Sequence, residues 1–344
     1  MSGNARIAEV DVLRGLLAIT VVLGHAVQQY ETTIGGFWLA VKDFIYSFHM
    51  PAFVFISGFC AYRALGFSGD GQKAGFLKAR ARRLVVPYFA WGALYFILRA
   101  LAGEHARVPY DCGKIGFFLL GYNPDGAMWF GWALFAAFVL TALGLRLVRG
   151  SWLLALTGLL SVVAPYFVPT VAIHTRALLS VHLYMFFILL GAEFCGWLVR
   201  HKNIGVVRVC LLMVGCAALF TVAYLLHISR IAYPMPWYCL TSVFAVFFLF
   251  GLSRVLVRKC RPLQPVLTLL GVEAMSIYVL GEPIKVMCRI AFSKAGIPLA
   301  VAFPVMLAFM FVLPIALARI IRRSVVLRQL LLGEFKARGV PRVL

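Results

Sequence analysis

The chain has 344 residues, of which 63% are hydrophobic and 13% are charged. A soluble domain would carry about 25% charged residues, so the composition predicts a polytopic membrane protein. The formal net charge is +21, but the basic residues stand between apolar runs and form no single face, which argues against a nucleic-acid partner. The eight cysteines form no C-x-x-C pair and no Cys/His cluster, so we expect neither a metal site nor a disulfide framework.

Ten apolar segments come close to the length of about 20 residues that a membrane-spanning helix needs. In chain order they are roughly 11–30, 43–65, 84–102, 127–148, 152–169, 178–199, 206–226, 236–256, 266–288 and 298–320. We expect the first to be a span rather than a cleavable signal, because Glu9 and Asp11 stand where a signal would be basic. The predicted fold class is an all-α polytopic membrane protein with about ten transmembrane helices.

The basic residues predict how these helices are oriented. Most of the 33 lysines and arginines lie in the even-numbered connections and the two tails, and few lie in the odd-numbered connections. By the positive-inside rule, this alternation places both termini in the cytoplasm. We therefore expect one transmembrane domain over residues 1–323 and a basic cytoplasmic tail over 324–344, with an apolar patch at 330–332 that lies on the membrane surface.

The first segment contains two ionisable residues, Arg14 and His25, and such residues within a spanning helix indicate a functional site. They are separated by about three helical turns, which should bring both side chains to one face about 16 Å apart. Asp11 and Gln28 extend this polar row at its two ends. Alone, Arg14 could be an interfacial anchor and His25 a helix-packing group. The shared face instead predicts one side of a polar cavity.

The second segment contains Asp43, His49 and Ser57 together with a proline, Pro51, near its middle. A mid-span proline frees a backbone carbonyl and bends the helix, and this is tolerated where the backbone faces protein or a water-filled cavity. Asp43 is a candidate to orient an imidazole or to pair with an arginine. The alternative for Asp43 is an interfacial residue exposed to solvent.

Several short motifs complete the pattern. They are Asp11-x-x-Arg14-Gly15 with His25, Phe48-His49-Met50-Pro51 with Ser57-Gly58-Phe59, the basic connection Arg80-x-Arg82-Arg83, Met128-Trp129-Phe130, and Ser276-Ile277-Tyr278 with Gly281-Glu282-Pro283. In this order they resemble the acyltransferase-3 family of integral-membrane O-acyltransferases over nearly the whole chain. Family members usually read Ile-Tyr-x-x-His-x-Pro in the late span, where this chain has Gly281 followed by Glu282.

The resemblance implies transfer of an acyl group, usually acetyl, from cytoplasmic acyl-CoA to a hydroxyl of a cell-surface or lipid-linked glycan. It also implies a location in the bacterial inner membrane, among membrane lipids. The residues agree with this chemistry, because a neutral imidazole can take the proton of a hydroxyl nucleophile, and His25 is the candidate base. A transient acyl group on His25 is the alternative. Arg14 and Asp43 complete the predicted catalytic set.

Arg80, Arg82 and Arg83 are predicted to bind the phosphates of acetyl-CoA, because guanidinium groups hold phosphate through paired hydrogen bonds. The family's Arg-x-x-Arg motif singles out the first and last of the three. Topogenic charge facing anionic lipid is the alternative.

The residues predicted to contact the acceptor substrate are His49, Ser57, Trp129, Tyr278 and Glu282. Trp129 is expected either to stack on a sugar ring or to take part in aromatic packing, and Glu282 is expected to replace the family's late histidine. A secondary transporter is the main alternative function, although no internal repeat supports it. A non-catalytic scaffold would leave the intramembrane charges unexplained.

Overall fold

A computed structural model of the chain describes residues 7–66, 73–102, 113, 115–121, 128–163, 180–201, 204–229 and 235–335. These residues form helices and connecting turns, and no strand occurs among them. The helices are α1 Ala8–Gln29, α2 Gly36–Tyr46, α3 His49–Ala61, α4 Lys73–Arg80, α5 Val86–Ala102, α6 Ile115–Phe118, α7 Trp129–Leu147, α8 Gly150–Val163, α9 Val181–Arg200, α10 Val206–Ser229, α11 Met235–Lys259, α12 Gln264–Lys294, α13 Leu299–Ile321 and α14 Val325–Leu332.

Within the described parts of the chain, eight helical segments are long and apolar enough to cross a membrane. They are α1, α2 with α3, α7, α9, α10, α11, α12 and α13. The all-helical membrane class is therefore confirmed, and eight of the ten predicted spans have a matching helix. The third predicted span corresponds to α5, which has 17 residues, and the fifth to α8, which has 14 residues and ends at Val163. Residues 164–169 of that fifth span lie outside the described residues.

The second predicted span consists of two helices rather than one helix bent at Pro51. α2 ends at Tyr46 and α3 begins at His49, so Pro51 lies in the first turn of α3. The prediction of a mid-helix bend at this proline is corrected, because a first-turn proline lacks an N–H that would have no intrahelical acceptor. At the break, the hydroxyl of Ser242 donates a hydrogen bond of 2.8 Å to the carbonyl of Ser47.

The described helices form two compact units. The first holds the residues up to Ile56 together with those from Trp197 to Ile320, and so contains α1, α2 and α10 to α13. The second holds the residues from Ser57 to Gly196 and the described residues from Ile321 onward, and so contains α4 to α8, most of α9 and α14.

Within the first unit, α1 and α12 approach closely at two glycines. A Cβ atom on Gly15 would overlap the backbone carbonyl of Leu267, and one on Gly271 would overlap the carbonyl of Asp11. Small residues at a helix crossing permit this approach, which is typical of helix pairs in membranes. A further contact between the two helices lies about three turns along both, at His25 and Glu282. The helices therefore run parallel.

Within the second unit, residues 324–335, here called the C-terminal segment, pack on α5. α14 is capped at its start by the Ser324 side chain, which accepts a hydrogen bond from the amide of Leu327. The indole of Trp91 in α5 donates a hydrogen bond of 3.1 Å to the carbonyl of Leu331. Leu332 is 1% exposed whereas Leu330 is 45% exposed. The apolar patch predicted to lie on the membrane surface is thus divided, and its last leucine is buried in protein.

Candidate active-site elements

His25 projects from α1 toward Glu282 of α12. Its Nδ1 atom lies 4.0 Å from Glu282 Oε2, which is longer than a hydrogen bond, and it has no hydrogen-bond partner among the described residues. The ring of Tyr46 meets the imidazole edge-on, with 6.3 Å between centroids. The hydroxyl of Tyr46 donates to Gln28 Oε1 at 3.1 Å, one turn beyond His25. The polar row of α1 therefore faces polar groups of the protein at this end.

Lys285 binds the carboxylate that faces His25. Its Nζ atom lies 2.8 Å from Glu282 Oε2, and its side chain is 6% exposed. Glu282 is 12% exposed and His25 is 25% exposed. Sequence reasoning missed Lys285, although a lysine inside a long apolar helix was a sufficient signal, since charges within a span are paired and commonly functional.

Gly281 occupies the position where the family usually has histidine. It is buried, yet a Cβ atom added there would meet no other atom within 4 Å. The position therefore retains space for a side chain, and the acidic group facing His25 comes from the next residue, Glu282.

Arg14 lies near the crossing of α1 and α12. Its Nη1 atom is 3.8 Å from Asp11 Oδ1, and its side chain is 19% exposed. Asp11 itself is buried, and its carbonyl contacts Gly271. Arg14 and Asp11 thus form an ion pair about three turns from His25 along the same helix.

His49 and Asp43 lie on opposite sides of the break between α2 and α3. His49 is buried, its Nδ1 donates to the carbonyl of Ile45 at 3.0 Å, and its ring lies 4.8 Å from that of Tyr46. Tyr46 therefore contacts both histidines, and sequence reasoning missed it because the contact depends on where α2 ends. Asp43 is 62% exposed and pairs with Lys42 at 3.5 Å. Asp43 therefore pairs with a lysine and not with an arginine. Its exposure corresponds to the interfacial alternative.

In the second unit, Arg82 and Arg83 lie on a π-helical turn, Ala81–Val85, between α4 and α5, and Arg80 is the last residue of α4. Pro87 follows this turn and cannot donate to the carbonyl of Arg83, which explains why regular helical bonding is interrupted here. The Arg80 guanidinium lies over the rings of Phe76 and Phe138, at 4.9 and 5.4 Å. These contacts fix Arg80 by cation–π attraction.

The other two arginines contact the C-terminal segment. Arg83 Nη1 donates to the carbonyl of Leu332 at 2.7 Å and lies 3.4 Å from Glu334 Oε1. Arg82 lies over the ring of Phe335 at 5.2 Å. Gly333 has φ +62, and a Cβ atom there would come within 2.7 Å of the carbonyl oxygens of both arginines. Only glycine fits this backbone and this contact.

Glu334 joins Arg83 to a second cation, Arg322. The Nε and Nη2 atoms of Arg322 donate to the two carboxylate oxygens at 3.0 and 3.1 Å, a paired geometry that strengthens the interaction. Glu334 is buried. A lone acidic residue in a basic tail was the sequence signal for this contact, but no pattern in the sequence indicated its partners.

The remaining predicted substrate residues are distributed over both units. Tyr278 lies one turn before Glu282 on α12 in the first unit. Ser57 is half-buried and belongs to the second unit. Trp129 stacks on Tyr184 in the second unit, with 6.3 Å between centroids and 22° between planes. The aromatic-packing alternative describes Trp129 in this structure.

Comparison with known proteins identifies the family. Residues 7–320 match the family model described as an acyltransferase domain, so the chain belongs to this family of acyltransferase domains. The resemblance carried by the ordered motifs is thereby confirmed.

Two relatives named nodulation protein NolL are similar to parts of the chain. The one from Sinorhizobium fredii is 31% identical over 229 residues, which cover 64% of this chain and 58% of that protein. The one from Mesorhizobium japonicum is 32% identical over 142 residues, which cover 40% of this chain and 35% of that protein. The chain thus spans less than two thirds of either relative. No solved structure matches it.

Proposed function

We propose that the chain is a membrane-embedded O-acyltransferase. It moves an acyl group, most simply acetyl, from cytoplasmic acyl-CoA to a hydroxyl of a cell-surface or lipid-linked glycan in a bacterial inner membrane. Family membership supports the reaction class. The observation that carries the proposal is the imidazole of His25 inside a membrane helix, 4.0 Å from a carboxylate on the neighbouring helix.

The proposed chemistry follows from the two ring nitrogens of His25. The acceptor hydroxyl attacks the thioester carbonyl, the new carbon–oxygen bond forms, and His25 Nε2 takes the hydroxyl proton. The carbon–sulfur bond then breaks, and the leaving thiolate takes this proton from His25. An approach of about 1 Å would bring Glu282 into hydrogen-bond range of Nδ1–H, which fixes the tautomer that leaves Nε2 as the base. General-base catalysis of this kind contributes about 10²–10⁴ to the rate.

The donor side of the proposal rests on the π-helical turn. Arg82 and Arg83 on this turn and Arg80 at the end of α4 concentrate positive charge within four residues, which suits the phosphates of CoA. Arg83 also binds the C-terminal segment through Glu334 and the carbonyl of Leu332. A variant of Arg83 therefore needs a control that separates donor binding from docking of this segment.

Arg83→Ala should raise the KM for acetyl-CoA about 10–100-fold, the effect of losing one charge-assisted hydrogen bond, with a smaller effect on kcat. Glu334→Gln is the matched control, because it breaks the ion pair but leaves the guanidinium. It should change the KM by less than about threefold, which is below 1 kcal/mol. Steady-state kinetics with varied acetyl-CoA measure both. Equal KM increases in the two variants would show that Arg83 acts only by docking the C-terminal segment.

The direct test of the function uses purified protein in lipid nanodiscs with acetyl-CoA and glycan extracted from an unacetylated strain. We expect release of free CoA that depends on the glycan, together with an acetyl ester on the glycan detected by mass spectrometry. A transporter without acyl-transfer chemistry would leave acetyl-CoA intact. Absence of glycan-dependent CoA release across capsule, lipid-linked oligosaccharide and peptidoglycan-precursor fractions would reject the proposed acceptor class.

A further inference from the structure

Lys285, Glu282 and His25 form a row of ionisable groups inside the first unit. We propose that Lys285 is a positioning residue for acyl transfer, which pairs with the Glu282 carboxylate and directs it at His25. The inference rests on the proposed function, because it assigns Lys285 a role in the same proton transfer. Neither the family motif nor the predicted site included this lysine.

The geometry of the carboxylate supports a role beyond charge neutralisation. Lys285 Nζ lies 2.8 Å from Glu282 Oε2, and this same oxygen is the one 4.0 Å from His25 Nδ1. A lysine that only neutralised a buried acid could bind either oxygen. Here the ammonium holds the oxygen that faces the imidazole, so it sets the direction of the carboxylate.

The exposure of the three side chains decides which of them can meet a reactant. Lys285 is 6% exposed, Glu282 is 12% exposed and His25 is 25% exposed. Exposure therefore rises from the lysine to the histidine. His25 keeps the most exposed surface of the three, as the group that receives the proton must, whereas Lys285 is covered and acts through Glu282. This order makes Lys285 a positioning residue and not a group that touches the substrate.

The charge balance of the reaction explains why an ionised carboxylate is needed. Before transfer, one ammonium and one carboxylate neutralise each other beside an uncharged imidazole. When His25 takes the hydroxyl proton, it becomes a cation within a membrane-spanning helix, where an unpaired charge is costly. A carboxylate directed at the imidazole stabilises this cation, and loss of Lys285 removes the contact that directs it.

Four variants test the inference, each assayed for kcat and for the KM values of acetyl-CoA and glycan. Lys285→Met should lower kcat about 10–100-fold, within the range of general-base assistance, and leave both KM values within about twofold. Lys285→Arg keeps the charge and should recover most of the lost kcat. Glu282→Gln should lower kcat at least as much as Lys285→Met. The double variant, which combines Glu282→Gln with Lys285→Met, should be no slower than Glu282→Gln alone, because both changes affect the same Lys285–Glu282 interaction.

The double variant also keeps the inference testable if Lys285→Met fails to fold. Replacing both members of the pair removes the unpaired buried charge, so the double variant should fold even where Lys285→Met does not. A wild-type kcat in the double variant would show that neither Glu282 nor Lys285 serves the transfer, and the inference would be overturned. A wild-type kcat for folded Lys285→Met would also overturn it. Thermal unfolding and size-exclusion profiles establish the folded fraction of each variant.

The outcomes also separate this inference from the proposed function. If the wild-type protein transfers no acyl group, or if His25→Ala transfers it at the wild-type rate, the proposed function fails whatever Lys285 does. If His25→Ala is inactive while Lys285→Met keeps the wild-type kcat, the function stands and only the role of Lys285 fails.

Discussion

His25→Ala should reduce acyl transfer about 10²–10⁴-fold while the protein still inserts and folds. The loss follows from removing the group that takes the hydroxyl proton. Folding should survive because alanine is the best helix former and because Nδ1 makes no hydrogen bond to another described residue that the substitution could break. The initial rate of CoA release at saturating acetyl-CoA and glycan gives the effect, and mass spectrometry of the glycan confirms it.

Two control variants test whether the loss of rate is specific to His25 and to its role as a base. His201→Ala changes an exposed histidine whose Nδ1 donates to the carbonyl of Trp197 at 3.0 Å, so it should leave the rate unchanged. His25→Gln keeps hydrogen-bonding capacity at the site but cannot act as a base, so it should be as slow as His25→Ala. Recovery of the rate in His25→Gln would assign His25 a packing role through hydrogen bonds and remove it from the chemistry.

The helical membrane class could be predicted from the sequence because apolar runs of span length are a local property. Two predicted spans correspond to the shorter helices α5 and α8, whose lengths composition does not predict. α5 begins only after the π-helical turn, which reflects the missing N–H of Pro87 and the docking of Gly333 on the same carbonyls. Composition detects apolar residues in this region but not the interrupted hydrogen bonding.

The α1 part of the candidate site was also accessible from the sequence, because helical spacing places Arg14 and His25 on one face. The spacing could not supply the groups that face them from another helix. The family motif has its histidine at position 281, yet the carboxylate near His25 belongs to Glu282, and the cation paired with that carboxylate belongs to Lys285. These contacts depend on how α1 and α12 pack, which no single segment encodes.

Asp43 and Glu334 show that the sequence neighbourhood of a charge does not determine its burial. Asp43 stands in an apolar segment and is either a group that orients a catalytic residue or an interfacial residue; it is exposed and pairs with its neighbour Lys42. Glu334 stands in a basic tail and attracted no prediction, but it is buried between Arg83 and Arg322. Burial is a property of packing, so neither outcome followed from local composition.

Gly271→Ala should both destabilise the protein and slow acyl transfer, although alanine favours a helix. A Cβ atom at this position overlaps the backbone carbonyl of Asp11, and backbone cannot rotate aside as a side chain can. α1 and α12 must therefore separate, at a cost of about 1–3 kcal/mol for overpacking. Because His25 and Glu282 lie further along the same two helices, their separation should change, and a misplacement of about 1 Å can cost about 10²-fold in rate.

Gly215→Ala is the matched control for this substitution. Gly215 lies in α10 of the same unit, and a Cβ atom there would meet nothing within 4 Å. The same glycine-to-alanine change in a helix should therefore be neutral or stabilising by about 1 kcal/mol. Thermal unfolding in nanodiscs and the initial rate of CoA release measure both variants. The opposite sign of the two stability changes is the diagnostic result, because helix propensity alone predicts the same sign. If Gly271→Ala matched Gly215→Ala in stability and rate, close packing of α1 on α12 would not be what brings His25 and Glu282 together.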